Sequence, residues 1–322
     1  MGATRNGVLV AVDIGGTKTA LAIAAPPPEA NGAYLARRRF PTPATGRETL
    51  DTLLAITREL AADHAVAGIG VSFGGQVRTD RPPHLKSLVV PGWEILDLRA
   101  EFARAFGGAP TLIANDGEAA AHGEYVSMPA GARRDTLAYI TVSTGVGGAF
   151  LLNGRPHRGR HGLAAEVGHI PVRPGGRCPC GGTGHLEAYA SGPAIAQAAE
   201  ARLTNARSSL HDVIRERGSL TAKDIDQAAR HGDAFATMIL GEAGTLVGRA
   251  AALIGLLLDP DAIIIGGGVA QAGDAFWHPL HTAARLDALH PTEILPARLG
   301  PDSALRGALE LARMAATELP PK

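Results

Sequence analysis

The sequence predicts an α/β protein of two domains, each opening on a strand, a turn of glycine and threonine, and a second strand. Three observations predict it. The chain has 322 residues, more than one ordinary core encloses and suited to two. The organisation of residues 8–25 returns at 137–152 as apolar strand, small turn and second strand. Strand-like apolar runs also alternate with stretches of helical spacing along the chain. Hydrophobic residues make up 45% of the sequence and the formal net charge is zero. A packed interior is therefore expected, and neither global disorder nor a nucleic-acid partner is.

Taken in order, Val8 to Val12 reads as a buried strand, Gly15-Gly16-Thr17-Lys18 as a turn, and Ala20 to Ala25 as the returning strand. Pro26-Pro27-Pro28 and Asn31-Gly32 mark a loop, and Tyr34 to Phe40 fits a strand. Leu50, Leu53, Leu54, Ile56 and Leu60 recur at helical spacing within 47–63. Val66 to Phe73 is a strand running into Gly74-Gly75, followed by a loop over 74–92 and a helix over 96–106. The short strand Thr111 to Ala114 ends at Asn115-Asp116-Gly117, before a helix over 118–127. Leu137 to Val142, the turn from Ser143 to Gly148, and Ala149 to Leu152 repeat the opening hairpin. Helices dominate 192–258, with nothing more to be read from 202–235 than helix and loop. Ala262 to Ile265 is a buried strand ending in Gly266-Gly267-Gly268, and a last helix spans 303–317. The first domain is expected to hold residues 1–118 joined by 303–322, and the second residues 119–302.

Cys178 and Cys180 are the only cysteines, which excludes a disulfide framework and suits a reducing compartment. No secretory signal is read at the N-terminus. The longest apolar run, Ala250 to Leu258, is about half of what a membrane span requires. A cytoplasmic protein without a membrane partner is expected. Arg37-Arg38-Arg39 reads as a solvated strand end.

Three clusters carry candidate chemistry. Glycines let consecutive backbone N–H groups converge on an anion, and threonine hydroxyls add donors. Gly15, Gly16, Thr17 and Lys18 have this makeup, as do Thr144, Gly145 and Gly147, with Gly267 and Gly268 as a third group. Neither hairpin is a P-loop or a dinucleotide fingerprint, and any tight turn needs glycine. Their recurrence points to a nucleotide clamped in a cleft between domains. Asn115-Asp116 sits at a strand-to-helix junction, where a carboxylate either accepts a hydroxyl proton or simply caps the helix. Finally, Cys178, Cys180, His169 and His185 form a closed set of two thiolates and two imidazoles, the structural type of zinc site. Ordinary buried thiols are the alternative.

AVDIGGTKTALAI at 11–23, TVSTGVGG at 141–148 and IIIGGGVA at 263–270 resemble the two phosphate motifs and the adenosine-side motif of the ROK family of sugar kinases. IANDGEAAAHGEY at 113–125 resembles the segment carrying that family's catalytic base. The resemblance covers nearly the whole chain and is most specific over 166–191. It implies two actin-like (ribonuclease H-like) ATPase domains flanking a nucleotide and sugar cleft. It implies Mg-ATP as phosphoryl donor and a hexose phosphorylated at its 6-hydroxyl, with glucose ahead of an N-acetylhexosamine or fructose.

Residue by residue, it implies Asp116 as base and Asp13 near Mg²⁺ through water, although Asp13 also suits a strand-end carboxylate capping its own turn. Asn115, Glu166, His169 and Glu187 would meet sugar hydroxyls, with Gly75 allowing close backbone approach; Glu187 also suits a helix start. Zinc would be held by His169, Cys178, Cys180 and His185. The family's pattern is C-x-C-G-x-x-G-C-x-E, and His185 stands here where its third Cys is expected. That leaves either a four-ligand site or a weakened three-ligand one. A homodimer or a tetramer is implied. The family also includes sugar-sensing repressors with an N-terminal helix-turn-helix domain. The first phosphate motif begins here at residue 11, which leaves no room for one and ranks a regulator below the kinase.

Overall fold

The computed structural model describes residues 7–26, 33–62, 64–78, 85–87 and 89–318. The loop expected at Pro27-Pro28 and Asn31-Gly32, and part of that at 74–92, lie outside them. The chain divides into two compact units. One comprises Met1–Arg133, Arg155–Ala164 and Asp302–Lys322, the other Arg134–Gly154 and Ala165–Pro301.

The first unit contains β1 (Val8–Ile14), β2 (Lys18–Ala24), β3 (Ala36–Pro41), α1 (Gly46–Ala61), β4 (Val66–Phe73) and the short β5 (Gln76–Val77) and β6 (Leu85–Lys86). It continues with α2 (Leu98–Ala105), β7 (Thr111–Asn115) and α3 (Asp116–Ser127), and takes in α10 (Ser303–Glu318) from the end of the chain. Its sheet runs in the order β3-β2-β1-β4-β7. β1 pairs antiparallel with β2 and parallel with β4, which pairs parallel with β7. β1 is covered on both faces, which is why its sequence is apolar without alternation. Val10, Val12 and Ile14 pack with Leu50, Leu53 and Phe102, while Leu9 and Ala11 pack with Leu305 and Ala308. α1 starts at a capping box between Thr45 and Glu48. The arginine run on β3 is ion-paired rather than merely solvated. Arg37 and Arg39 both donate to Asp302 and Arg38 donates to Glu59.

The second unit contains β8 (Thr136–Val142), β9 (Val146–Leu152), α4 (Glu187–Ala190), α5 (Gly192–Leu203), α6 (Leu210–Arg217), α7 (Ala222–Arg230), α8 (Ala234–Leu258), β11 (Ala262–Gly266), α9 (Asp274–Leu286) and β12 (Glu293–Pro296). With the two-residue β10 (Arg155–Pro156) at its edge, the sheet order is β10-β9-β8-β11-β12. β8 pairs antiparallel with β9 and parallel with β11, and β11 parallel with β12. This repeats the pairing scheme of the first sheet, so the recurrence read from the sequence is one of sheet topology. β9 begins earlier than expected because Gly147 and Gly148 pair with Thr141 and Ile140. α8 is the one helix among the described residues long and apolar enough to cross a membrane. However, 61% of its apolar window is buried, in a core shared with Phe276 and Leu280 of α9.

The boundary between units differs from the expected one over residues 119–133, over 155–164 and at Asp302, all of which fall in the first unit. Residues 119–127 remain with the first unit because α3 is a single helix stacked on α10. Gly123 and Gly307 sit at that contact, where a Cβ would collide with the carbonyl oxygens of Ser303 and Ala119. Residues 155–164 also join the first unit. There Arg158 grips Glu118 of α3, with Nε donating to both carboxylate oxygens at 2.9 and 3.0 Å and Nη2 to one at 2.6 Å.

Candidate active site and metal cluster

In the first unit the candidate residues gather at the carboxyl ends of the parallel strands β1, β4 and β7, where open α/β sheets bind ligands. Asp13 is the penultimate residue of β1 and lies opposite Ser72 of β4. The fully buried Ser72 donates its hydroxyl to Asp13 Oδ1 at 2.7 Å. Burial pushes the Asp13 carboxyl up from 3.8 to about 6, against the lowering effect of that hydrogen bond. The first hairpin closes through Gly15 N–H to the Lys18 carbonyl at 3.0 Å. Thr42 supports it from outside by donating to the Gly15 carbonyl at 2.7 Å. Thr17 and Lys18 are exposed at the tip.

Asn115 and Asp116 both meet the first turn of α3. Asn115 is the N-cap of α3, accepting from Gly117 N–H at 2.9 Å. Its amide Nδ2 donates to the Gly75 carbonyl at 2.7 Å. That bond ties the end of β7 to the turn after β4. Asp116 is the first residue of the helix, and its Oδ1 also accepts from Gly117 N–H at 2.9 Å. Gly74 keeps this corner open: a Cβ there would lie 2.9 Å from the Ile14 carbonyl and 3.7 Å from Asp116 Oδ2. A Cβ on Gly75 would collide with the Lys86 carbonyl.

In the second unit the hairpin turn Ser143-Thr144-Gly145 is closed by Ser143 N–H to the Gly145 carbonyl at 2.8 Å. Gly192, which opens α5, donates to the Ser143 carbonyl at 2.7 Å. The third glycine cluster joins the same place. Gly267 has a φ of +90° and packs so closely on the end of β8 that a Cβ would overlap the Val142 carbonyl. Gly268 lies beside Ser143, whose Oγ would be 3.8 Å from a Cβ there.

Glu166, His169, Glu187 and the cysteine segment also converge in this unit. The donor atoms of His169, Cys178, Cys180 and His185 lie within 4.8 Å of one another. Cys178 Sγ is 3.8 Å from His169 Nδ1, and Cys180 Sγ is 3.3 Å from His185 Nδ1. A tetrahedral zinc with ordinary Zn–S and Zn–N bonds sets such pairs about 3.6 Å apart. The donor set and spacing therefore fit zinc, with His185 positioned as the fourth donor. Burial, the largest cause, pushes the Cys178 thiol up to about 12, so a bound cation is what would hold it as thiolate. His169 turns its other nitrogen, Nε2, toward Glu166 Oε2 at 3.6 Å, the arrangement of a carboxylate orienting a metal-bound imidazole. Burial raises the Glu166 carboxyl above its ordinary value; His169 opposes the rise and Glu187 adds to it. Glu187 Oε2 accepts the Val146 N–H at 2.9 Å, so this carboxylate faces the second hairpin.

A family model described as the ROK family matches residues 9–315. The chain belongs to the ROK family. It is 32% identical over 323 residues to a Streptomyces coelicolor protein named glucokinase, covering 95% of this chain and 98% of that one. It is 30% identical over 310 residues to a Yersinia pestis protein named N-acetylmannosamine kinase, covering 94% and 98%. Among solved structures it resembles a ROK family glucokinase from Streptomyces griseus in complex with glucose and AMPPNP. There the TM-score is 0.80 at 32% identity, with 96% of this chain and 100% of that one covered. The fold is that of the actin-like ATPases, to which ROK glucokinases belong.

Three site residues were not anticipated: Ser72, Thr42 and Val146. Ser72 carried a signal, being a lone hydroxyl in an otherwise apolar strand. Thr42 and the Val146 N–H carried none, because each acts on a partner far away in sequence.

Proposed function

We propose that this ROK protein is an ATP-dependent hexose kinase whose first substrate is glucose, phosphorylated at the 6-hydroxyl. The observation that carries the reading is Asp116. It stands in the first turn of α3, beside Gly74 and the end of β1, where its Oδ1 shares the Gly117 N–H with the N-cap Asn115 and its Oδ2 is the oxygen nearest Gly74. A carboxylate so placed accepts the proton of the sugar hydroxyl as the γ-phosphoryl group passes to that oxygen and ADP leaves. Mg²⁺, when bound with ATP, neutralises charge on the transferring phosphates. Asp13 would hold it through water, because a carboxyl pushed to about 6 is ionised at neutral pH at a cost that a nearby cation relieves. Backbone N–H groups of Gly16, Thr17 and Lys18 and of Thr144, Gly145 and Gly147 would meet phosphate oxygens, with Gly15 closing the first turn through the Lys18 carbonyl. Gly267 and Gly268 would border the adenosine.

Asn115, Gly75, Glu166, His169 and Glu187 would meet sugar hydroxyls. Both side-chain polar atoms of Asn115 and both carboxylate oxygens of Glu187 already have protein partners, so each brings only its remaining N–H or lone pairs. Zinc on His169, Cys178, Cys180 and His185 would be structural, fixing the ring of His169 and the loop that bears it. A reducing cytoplasm suits the two thiols, and a homodimer or tetramer is the assembly the family implies. The 30% identity to an N-acetylmannosamine kinase favours an N-acetylhexosamine as second substrate class.

ADP release with Mg-ATP across hexoses, N-acetylhexosamines and a no-sugar control tests the reading. Glucose-dependent turnover is expected. Asp116→Asn is expected to keep glucose binding and lose about 10²–10⁴ in kcat. An Asp116→Asn protein with most of the wild-type kcat, or ATP turnover indifferent to sugar, refutes the assignment.

A further inference from the structure

The tip of the second hairpin is held from both sides by the metal-binding segment. Glu187 Oε2 takes the Val146 N–H at 2.9 Å, and its Oε1 lies 3.6 Å from Cys178 Sγ. The Val146 carbonyl abuts Gly168, where a Cβ would collide with it. Gly145 provides the space in which the carboxylate sits, since a Cβ there would lie 2.6 Å from Glu187 Oε2. Contact with a sugar hydroxyl accounts for none of these features. Between the strands the turn has a single backbone bond of its own, Ser143 to Gly145, so its orientation depends on outside partners. Glu187 follows His185 by two residues and opens α4. The preceding loop is spanned by Val172 N–H to Gly184, Gly184 N–H to Gly176, Cys178 N–H to Gly182, Gly181 N–H to Cys178 and Leu186 N–H to Ile170 carbonyls, and by the Tyr189 hydroxyl to the Pro174 carbonyl. An ion drawing the four donors together would fix this loop further.

We propose that Glu187 is a positioning residue that ties the hairpin tip to the Cys/His segment, coupling metal binding there to nucleotide binding at the hairpin. The nucleotide half rests on the kinase reading; the tie does not. A hydrogen bond from an N–H to a carboxylate shifts an equilibrium about tenfold when lost. Linkage makes the coupling reciprocal, so nucleotide tightens metal binding by the same factor.

The test titrates the full chain, without sugar, with a non-hydrolysable ATP analogue and Mg²⁺. Zinc-loaded protein is compared with protein stripped by a chelator and returned to Mg²⁺ buffer. Binding about tenfold weaker after stripping is expected, with no such difference in Glu187→Ala. Equal affinities in loaded and stripped wild type overturn the coupling. Amide exchange at Val146 in zinc-loaded protein reads the tie alone. It is expected to be about tenfold faster in Glu187→Ala and restored in Glu187→Gln, whose amide oxygen still accepts. An unchanged Val146 rate in Glu187→Ala overturns the tie, even where stripping unfolds the protein. If no form binds the analogue, the kinase reading fails by itself, and the Val146 rates still decide the tie.

Discussion

At the scale of single residues, Asp13 is a carboxylate whose burial works against its charge. Its folded-state carboxyl is pushed to about 6 from 3.8, so between those values the folded chain binds the extra proton. The stability this contributes is present below pH 3.8 and is lost as pH rises through about 6. At pH 8 the ionised carboxylate is kept at a cost. Asp13→Asn is therefore expected to stabilise the protein at pH 8 by on the order of 1–2 kcal/mol, with less gain at pH 5. Turnover should nevertheless fall steeply, as expected for a functional carboxylate that the fold holds at a cost. Denaturant unfolding at both pH values, with ADP release alongside, checks this; an equal gain at both pH values contradicts it. Sequence alone presented Asp13 as either a turn cap or a metal-side group. The hydroxyl that bonds the carboxylate comes from Ser72 on another strand, 59 residues away, a pairing no local pattern announced.

At the scale of elements, the seam between α3 and α10 places Asp116. Gly123 and Gly307 bring the two helices into backbone contact, and the buried Glu124 accepts from Ser303 Oγ at 2.7 Å. A valine at Gly307 must force the helices apart. Gly307→Val is expected to cost about 1–3 kcal/mol and to lower kcat through displacement of α3. Gly131→Ala, where an added Cβ meets nothing within 4 Å, should be near neutral. Thermal melts and kinetics of the pair check this, and a Gly307→Val enzyme as stable as Gly131→Ala would discredit the seam. The helical period announced α1, and apolar runs announced the strands. No pattern announced the seam, because a glycine does not specify which distant backbone it admits. β12 and α9 were also missed; α9 carries Pro279 inside it, which reads as a helix break although Phe276, Leu280 and Ala283 keep the helical spacing. β12 has only two half-buried positions, Ile294 and Leu295, too short a signal to stand out.

At the scale of the whole molecule, each unit has its own core. All four metal donors belong to the unit formed by Arg134–Gly154 and Ala165–Pro301. Metal that binds only the folded form stabilises what it binds. Scanning calorimetry before and after chelation is expected to show the transition of that unit falling by several degrees, with the other unmoved. Zinc analysis of protein purified without added metal accompanies it. Absence of zinc, or two transitions that shift equally, counts against a structural ion confined to one unit.

The sequence by itself determined the α/β class, the twice-used hairpin, the glycine clusters, the Asn115-Asp116 junction and the set of two cysteines and two histidines. These are local patterns, written within a few residues by strand alternation, helical period and turn chemistry. Only the tertiary structure decided that α3 and residues 155–164 go with the first unit, that the Asn115 amide also bonds the Gly75 carbonyl across the β7 junction, and that Glu187 reaches the Val146 amide. Those outcomes depend on close packing and on single hydrogen bonds between residues far apart in the chain, such as the 41 positions from Val146 to Glu187. Such a pairing leaves no periodic trace in the sequence, because it exists only once two elements have been folded against each other.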